Sequence, residues 1–166
     1  MSIKNLYSEE AREKIKEMAE SIDMCIMSTD LKNLPFHSVV MSTKKVDEEG
    51  KIWFLSGKDS NHVKNIEKDP QIHMAYSDPG SIKFLNIFGK AHTHDDRNVI
   101  RELYGKTDDA WFSGPDDPNI VAIHILPQDV NYWDPKSNKL VSLFQMAVGA
   151  ITGEQQETMN EGKLKI

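Results

Sequence analysis

The sequence predicts a β-dominated α+β domain, an antiparallel split β-barrel with peripheral helices, on three observations. Six or seven short segments have strand composition, three or four have helical periodicity, and no βαβ alternation links them. The 166 residues suit one compact unit without a long Pro, Gly or Ser linker. Residues 1–153 are expected to form that unit, and 154–166 a polar tail that frays from about Thr152.

The elements follow in order. Ser8 can cap a helix over EEAREKIKEMAESI, where Ala11, Ile15, Met18, Ala19 and Ile22 make one apolar stripe and Glu9 and Glu10 suit the positive end of the dipole. MCIMS, HSVVMST and KIWFLS then read as an antiparallel meander joined by the turn-formers TDLKNLP and VDEEGK. Asp59 or Ser60 can cap a short helix, SNHVKNIEK, that ends before Pro70. QIHMAYS and SIKFLNIFGKAHTH are strands around a DPGS turn, and Gly89 marks a bulge or bend in the second. Asp95 caps a helix that buries Val99, Ile100, Leu103 and Tyr104. After the polar loop GKTDDAWFSGPDDPN come strands IVAIHILPQ and VNYWD, a strand KLVSLF and a short helix QMAVGAI.

Composition excludes some functions. A net charge of -6 without a basic cluster argues against a nucleic-acid surface. The N-terminus lacks the apolar core of a signal peptide and no charge-free stretch spans a bilayer, so a cytoplasmic protein away from membranes is expected. The single cysteine, Cys25, lies in the apolar run MCIM and reads as a buried, inert thiol.

Three features bear on chemistry. In WFLSGKDSNHV a strand ends at Ser56 and a helix starts with Ser60, Asn61 and His62; the turn is either an ordinary capped helix or, through free N–H groups and dipole, a seat for phosphate or carboxylate. It is not a nucleotide P-loop, because Ile52 stands where the first glycine is needed and Asp59 replaces the hydroxyl residue. Trp111 and Phe112, in a polar loop, must anchor the loop, enter an interface or cover a flat ligand; Trp133 has the same ambiguity. His92 and His94 share a strand face and read as solvent-facing rather than as metal ligands, since no companion motif supports a metal. No Ser-His-Asp order, HExxH, GxSxG or dinucleotide fingerprint occurs.

In their order along the chain, HSVVMST, IWFLSGKDSNHVKNIEKDPQIHMAYSDPGS, AWFSGPDDPN, PQDVNYWD and KLVSLFQMA resemble the general stress protein 26 group of the pyridoxamine 5'-phosphate oxidase-like flavoproteins. That resemblance implies an FMN-binding split barrel, with FAD or another flavin as alternatives, and a homodimer holding flavin at its interface. It implies phosphate contacts from Ser56, Ser60, Asn61 and His62, and flavin contacts from Val39, Val40, Met41 and Lys44, with Leu55 and Lys58 beside them. Trp111 and Phe112 would close the site of a partner subunit, and Trp133 matches a cofactor-contacting tryptophan.

The chain departs from relatives at Val39, where Arg is common, and at Asn61-His62, where the oxidases carry Arg-Lys. Each lost cation removes charge-assisted bonds of about 1.5–3 kcal/mol. Lys58 or Lys44 is the compensating candidate. If His62 faces the phosphate, affinity should fall as pH rises through the imidazole range. The implied activity is redox chemistry on an unidentified small molecule, not pyridoxamine phosphate oxidation itself; no catalytic acid or base is named. A flavin sensor without turnover, or a dimer that has lost its cofactor, are the alternatives.

Overall fold

The computed structural model describes residues 2–4, 6–136 and 158–165, together with Met146 and Ala150. Two short strands, β1 (Ser2–Ile3) and β2 (Leu6–Tyr7), lead into helix α1 (Ser8–Ile22). There follow β3 (Met24–Thr29), β4 (His37–Ser42), β5 (Lys45–Val46), β6 (Ile52–Gly57), α2 (Asn61–Lys68), β7 (Gln71–Asp78) and β8 (Lys83–His94). Helix α3 (Arg97–Leu103), a 3-10 turn (Lys106–Ala110), β9 (Ile120–Pro135) and β10 (Met159–Lys165) complete the described chain. The strands form one sheet in the order β1-β10-β9-β8-β7-β3-β4, with β2 also on β10, β6 on β9 and β5 on β6. The sheet is mostly antiparallel and curls into a half-barrel; only β1 and β2 run parallel to β10.

Strand β9 explains the curl. It pairs with β8 along nearly its whole length, while its other edge takes β6 at Ile120–Ile125 and β10 at Val130–Pro135. Between these two partners the register with β8 shifts: Phe88 faces Asp129 and Gly89 faces Pro127, leaving Gln128 as the extra residue. A Cβ at Gly89 would collide with the carbonyl oxygen of Leu126, so the expected bulge at this glycine is present and has a steric cause. The two strands expected on either side of Pro127 are therefore one. Proline is tolerated there because neither β6 nor β10 reaches it, and the bulge opens the ladder to β8.

Core packing follows the predicted stripes. Ala11, Ile15, Met18 and Ala19 of α1 are buried, with Ile22 packed against them. Side chains as fully buried as Ile15 and Met18 stabilise the fold by about 1.5–3 kcal/mol each. A smaller cluster of Ile100, Leu103, Ile120 and Ala122 seats α3 on the outside of the sheet against Trp53, Leu55 and Phe112.

Several expectations change. β6 does not continue a meander from β4; it pairs with β5 and across to β9, a partner far along the chain that local pattern cannot name. Helix α1 begins at Ser8 itself, with φ +49°, and Asp96 rather than Asp95 caps α3 by accepting from the Asn98 N–H. The segment expected to fray supplies β10, whose residues Met159–Leu164 pair with β9. Leu164 is its buried residue, between exposed Lys163 and Lys165, and β10 is flanked by β9 on one side and by β1 and β2 on the other. The strand expected at KLVSLF and most of the helix expected at QMAVGAI lie outside the described residues.

Candidate functional site

Helix α2 starts where the sequence places it. Ser60 is its N-cap and accepts from the Val63 N–H, while the Ser60 N–H closes the turn onto the Gly57 carbonyl. The first N–H groups of α2 are thereby left beside the end of β6. His62 is buried and shares a 2.6 Å hydrogen bond with the Ser56 hydroxyl, with Ser60 Oγ at 3.3 Å. The His37 ring lies parallel to it at 6.3 Å. Burial, and then His37, pull the His62 imidazole below its ordinary value, so the ring is neutral near pH 7. Asn119, the residue before β9, fixes the turn: its carbonyl accepts from the Lys58 N–H and its amide donates to Asp59.

This turn forms one end of a cavity of about 450 Å³. Met24, Val40, Met41, Leu55, Trp111 and Phe112 make apolar walls, and Ser42, Ser56, Ser60, His62 and Asn119 supply polar groups. A second pole lies opposite the turn. The Lys44 N–H donates to the Trp53 carbonyl, which sets Lys44 three residues upstream of Ser56, roughly 10 Å along the strand. Lys44 Nζ is 2.6 Å from Asp108 Oδ2, and each side chain is only 13% exposed. The same Asp108 oxygen accepts from the Gly105 N–H, and the Asp108 carbonyl accepts from the N–H groups of Trp111 and Phe112. Asp108 thus holds the aromatic loop against the cavity.

Nine of the expected residues meet here: Val40, Met41, Lys44, Leu55, Ser56, Ser60, His62, Trp111 and Phe112. Trp111 and Phe112 line the cavity of their own chain. Four stand apart. Val39 packs inward against the core, opposite Val40 by strand alternation. Lys58 is drawn to Asp95 at 2.8 Å, and Asn61 is exposed on α2. Trp133 lies at the far end of β9, where its indole donates to Glu161 of β10. Met24, Ser42, Asp108 and Asn119 were not anticipated. Asp108 sat unremarked among the acidic residues of a polar loop, and Asn119 reaches the turn only through the long-range pairing of Gly57 with Ile120.

His92 is exposed as expected, whereas His94 is half-buried against a third histidine. His94 Nε2 meets His124 Nδ1 at 2.5 Å, and His92 and Trp53 flank His124 at ring distances of 5.3 and 5.0 Å. Among the described residues no group of three or more His, Cys, Asp or Glu side chains is arranged to hold a metal ion. Burial pushes the Cys25 thiol up to about 12, consistent with an inert side chain. No helix among the described residues is long and apolar enough to cross a membrane.

A curled, mostly antiparallel half-barrel, with an apolar cavity beside a strand-turn-helix, defines a split barrel. The chain belongs to the pyridoxamine 5'-phosphate oxidase like family, whose model matches residues 10–157. General stress protein 26 of Bacillus subtilis is 26% identical over 95 residues, covering 55% of this chain and 68% of its own length. Among solved structures, one assigned by name to general stress protein 26 from Jannaschia sp. CCS1 superposes with a TM-score of 0.78 at 18% identity, over 95% of this chain and 98% of that one. A structure described as a general stress FMN/FAD binding protein from Xanthomonas citri gives a TM-score of 0.66 at 22% identity, over 79% of this chain and 93% of that one.

Proposed function

We propose that this protein binds FMN in the cavity between β4, β6 and the Trp111-Phe112 loop, as a homodimeric, cytoplasmic, oxidoreductase-like member of its family. One observation carries the reading: a hydroxyl-bearing helix start at one end of a cavity whose walls are apolar and aromatic. Ser56, Ser60 and the free N–H groups of α2 suit the phosphate. Val40, Met41, Leu55 and the two aromatics suit a flat ring and exclude water from it. When bound, the flavin supplies electron and hydride transfer. The description of the Xanthomonas citri structure supports a flavin ligand and keeps FAD as a candidate.

The dimer is supported by an exposed apolar band. Met24, Ile26 and Val40 are 49%, 52% and 64% exposed on neighbouring strands, beside Phe36. β4 ends the strand order of the sheet, and Met24 and Val40 also line the cavity, so a second copy seated there would cover its mouth.

A flavin-binding sensor without turnover is the second reading. The pairing of Lys44 with Asp108 and of Lys58 with Asp95 draws both cations away from a phosphate and favours instead a barrel that has lost its cofactor. The test is the visible spectrum and mass of whatever copurifies, followed by FMN, FAD and riboflavin titrations and by reduction with NADH or NADPH. Flavin bands with reduction and reoxidation support the enzyme; bands without reduction support the sensor. Absence of binding to all three ligands removes both.

A further inference from the structure

Charge at the second pole of the cavity is already balanced from within. Among the described lining residues Lys44 is the fixed cation and Asp108 the carboxylate. Asp108 is held in three ways: by Lys44 at 2.6 Å, by the Gly105 N–H at 2.7 Å, and through its carbonyl by the Trp111 and Phe112 N–H groups at 2.9 and 3.0 Å. The carboxylate itself is tied twice, by Lys44 and by the Gly105 N–H, while the aromatic loop hangs on the backbone carbonyl of the same residue. An incoming anion would therefore have to displace the carboxylate from both of its partners to reach Lys44.

We propose that Asp108 is the specificity-determining residue of this cavity: it fills the anion subsite at Lys44 from within, so that the molecule bound beside the flavin is uncharged at that end. The identity of that neighbour rests on the flavin reading above, whereas the filled subsite belongs to the chain itself and is tested without flavin. Lys44 keeps a partner in every state, because a buried cation without one is strongly unfavourable. Molecules that would present a phosphate or carboxylate to this pole are turned away by the occupied cation, and Asp108 adds its own repulsion.

Removing the carboxylate should open the subsite. Asp108→Ala, titrated with inorganic phosphate and with acetate while thermal unfolding is followed, is expected to gain a saturable stabilisation. Its phosphate affinity should exceed that of the wild type by roughly tenfold or more, the worth of one charge-assisted hydrogen bond. The double variant Lys44→Gln/Asp108→Ala, which has no buried charge at this pole, should lose that gain. If Asp108→Ala does not fold in anion-free buffer, recovery of folded protein by acetate or phosphate reads the same way. Equal anion responses in wild type, single and double variants would overturn the proposal, as would failure of either anion to recover an unfolded Asp108→Ala. None of these outcomes depends on flavin, so they stand apart from the flavin titrations that test the parent reading.

Discussion

His94 Nε2 and His124 Nδ1 face each other at 2.5 Å across β8 and β9, with ring centroids 4.6 Å apart. A centroid separation so much larger than the nitrogen separation means that the rings meet edge to edge, with one proton between two nitrogens. A second proton would set two like charges against each other. Burial first, then His94, His92 and Lys51, lower His124 to about 4, against a smaller opposing effect of Asp47. His94 is lowered by burial, His92 and Lys51, opposed by Asp96.

Because these folded values lie below the ordinary 6.5, the folded state binds fewer protons than the unfolded chain in the window between 6.5 and about 4. Stability contributed by the pair is thus fully present above the ordinary value and lost as pH falls through that window. The thermal midpoint should be level above about pH 7 and decline below it. His124→Gln should flatten the upper part of the decline. Equal slopes for wild type and variant would remove the shared-proton pair as the cause.

His62 predicts a different profile from the one its position in the sequence suggested. Its neutral ring, already bonded to Ser56, contributes no charge to a phosphate near neutrality. FMN titrations at about pH 7 and about pH 8 should therefore give the same affinity, with no loss that His62→Gln abolishes. A fall of roughly tenfold between them, absent from His62→Gln, would restore a charged His62.

Trp111 and Phe112 separate by what supports them. Trp111 is 82% exposed, while Phe112 packs against the cluster of Ile100 and Leu103. Trp111→Ala should change stability by no more than about 0.5 kcal/mol yet weaken FMN binding by about 1 kcal/mol. Phe112→Ala should weaken both, with a stability loss of about 1–2 kcal/mol. Calorimetric titration beside chemical unfolding distinguishes the two, and unchanged FMN affinity in Trp111→Ala would make that residue a loop anchor only.

Gly89→Ala tests the bulge. The added methyl meets the Leu126 carbonyl rather than a movable side chain, and the loss should be about 1–3 kcal/mol. Gly105→Ala, where the nearest atoms are 3.8 and 4.0 Å away, is the mild comparison. A neutral Gly89→Ala in urea unfolding would mean that the strand adjusts freely at this point.

Local chemistry was legible in the sequence, and distant pairing was not. The Ser60 cap and the stripe of α1 are written in adjacent residues, because caps and periodicity are short-range effects, and Gly89 announced its bulge as an isolated glycine in a strand pattern. Continuity of β9 through Pro127 depends on which strands abandon it there. Pairing of β6 with β9, which brings Asn119 to the turn, spans more than sixty positions between Gly57 and Ile120. Asp108 escaped notice because an acidic residue in a polar loop looks solvated until Lys44 is found against it. Trp133 was assigned from likeness alone, and the register of β9 carries it away from the cavity.

The pairing of β10 with β1 and β2 has a consequence in time as well as space. Ser2 lies beside Asn160 and Leu6 beside Leu164, so this edge joins residues separated by nearly the whole chain. A chain made from its N-terminus can assemble β3, β4, β7 and β8 early, but β1 and β2 must wait until β10 has been synthesised. Until then the second half of β9 offers an unpaired edge to any strand that reaches it, so β10, made well after its partner, is the stretch that protects the barrel from its neighbours.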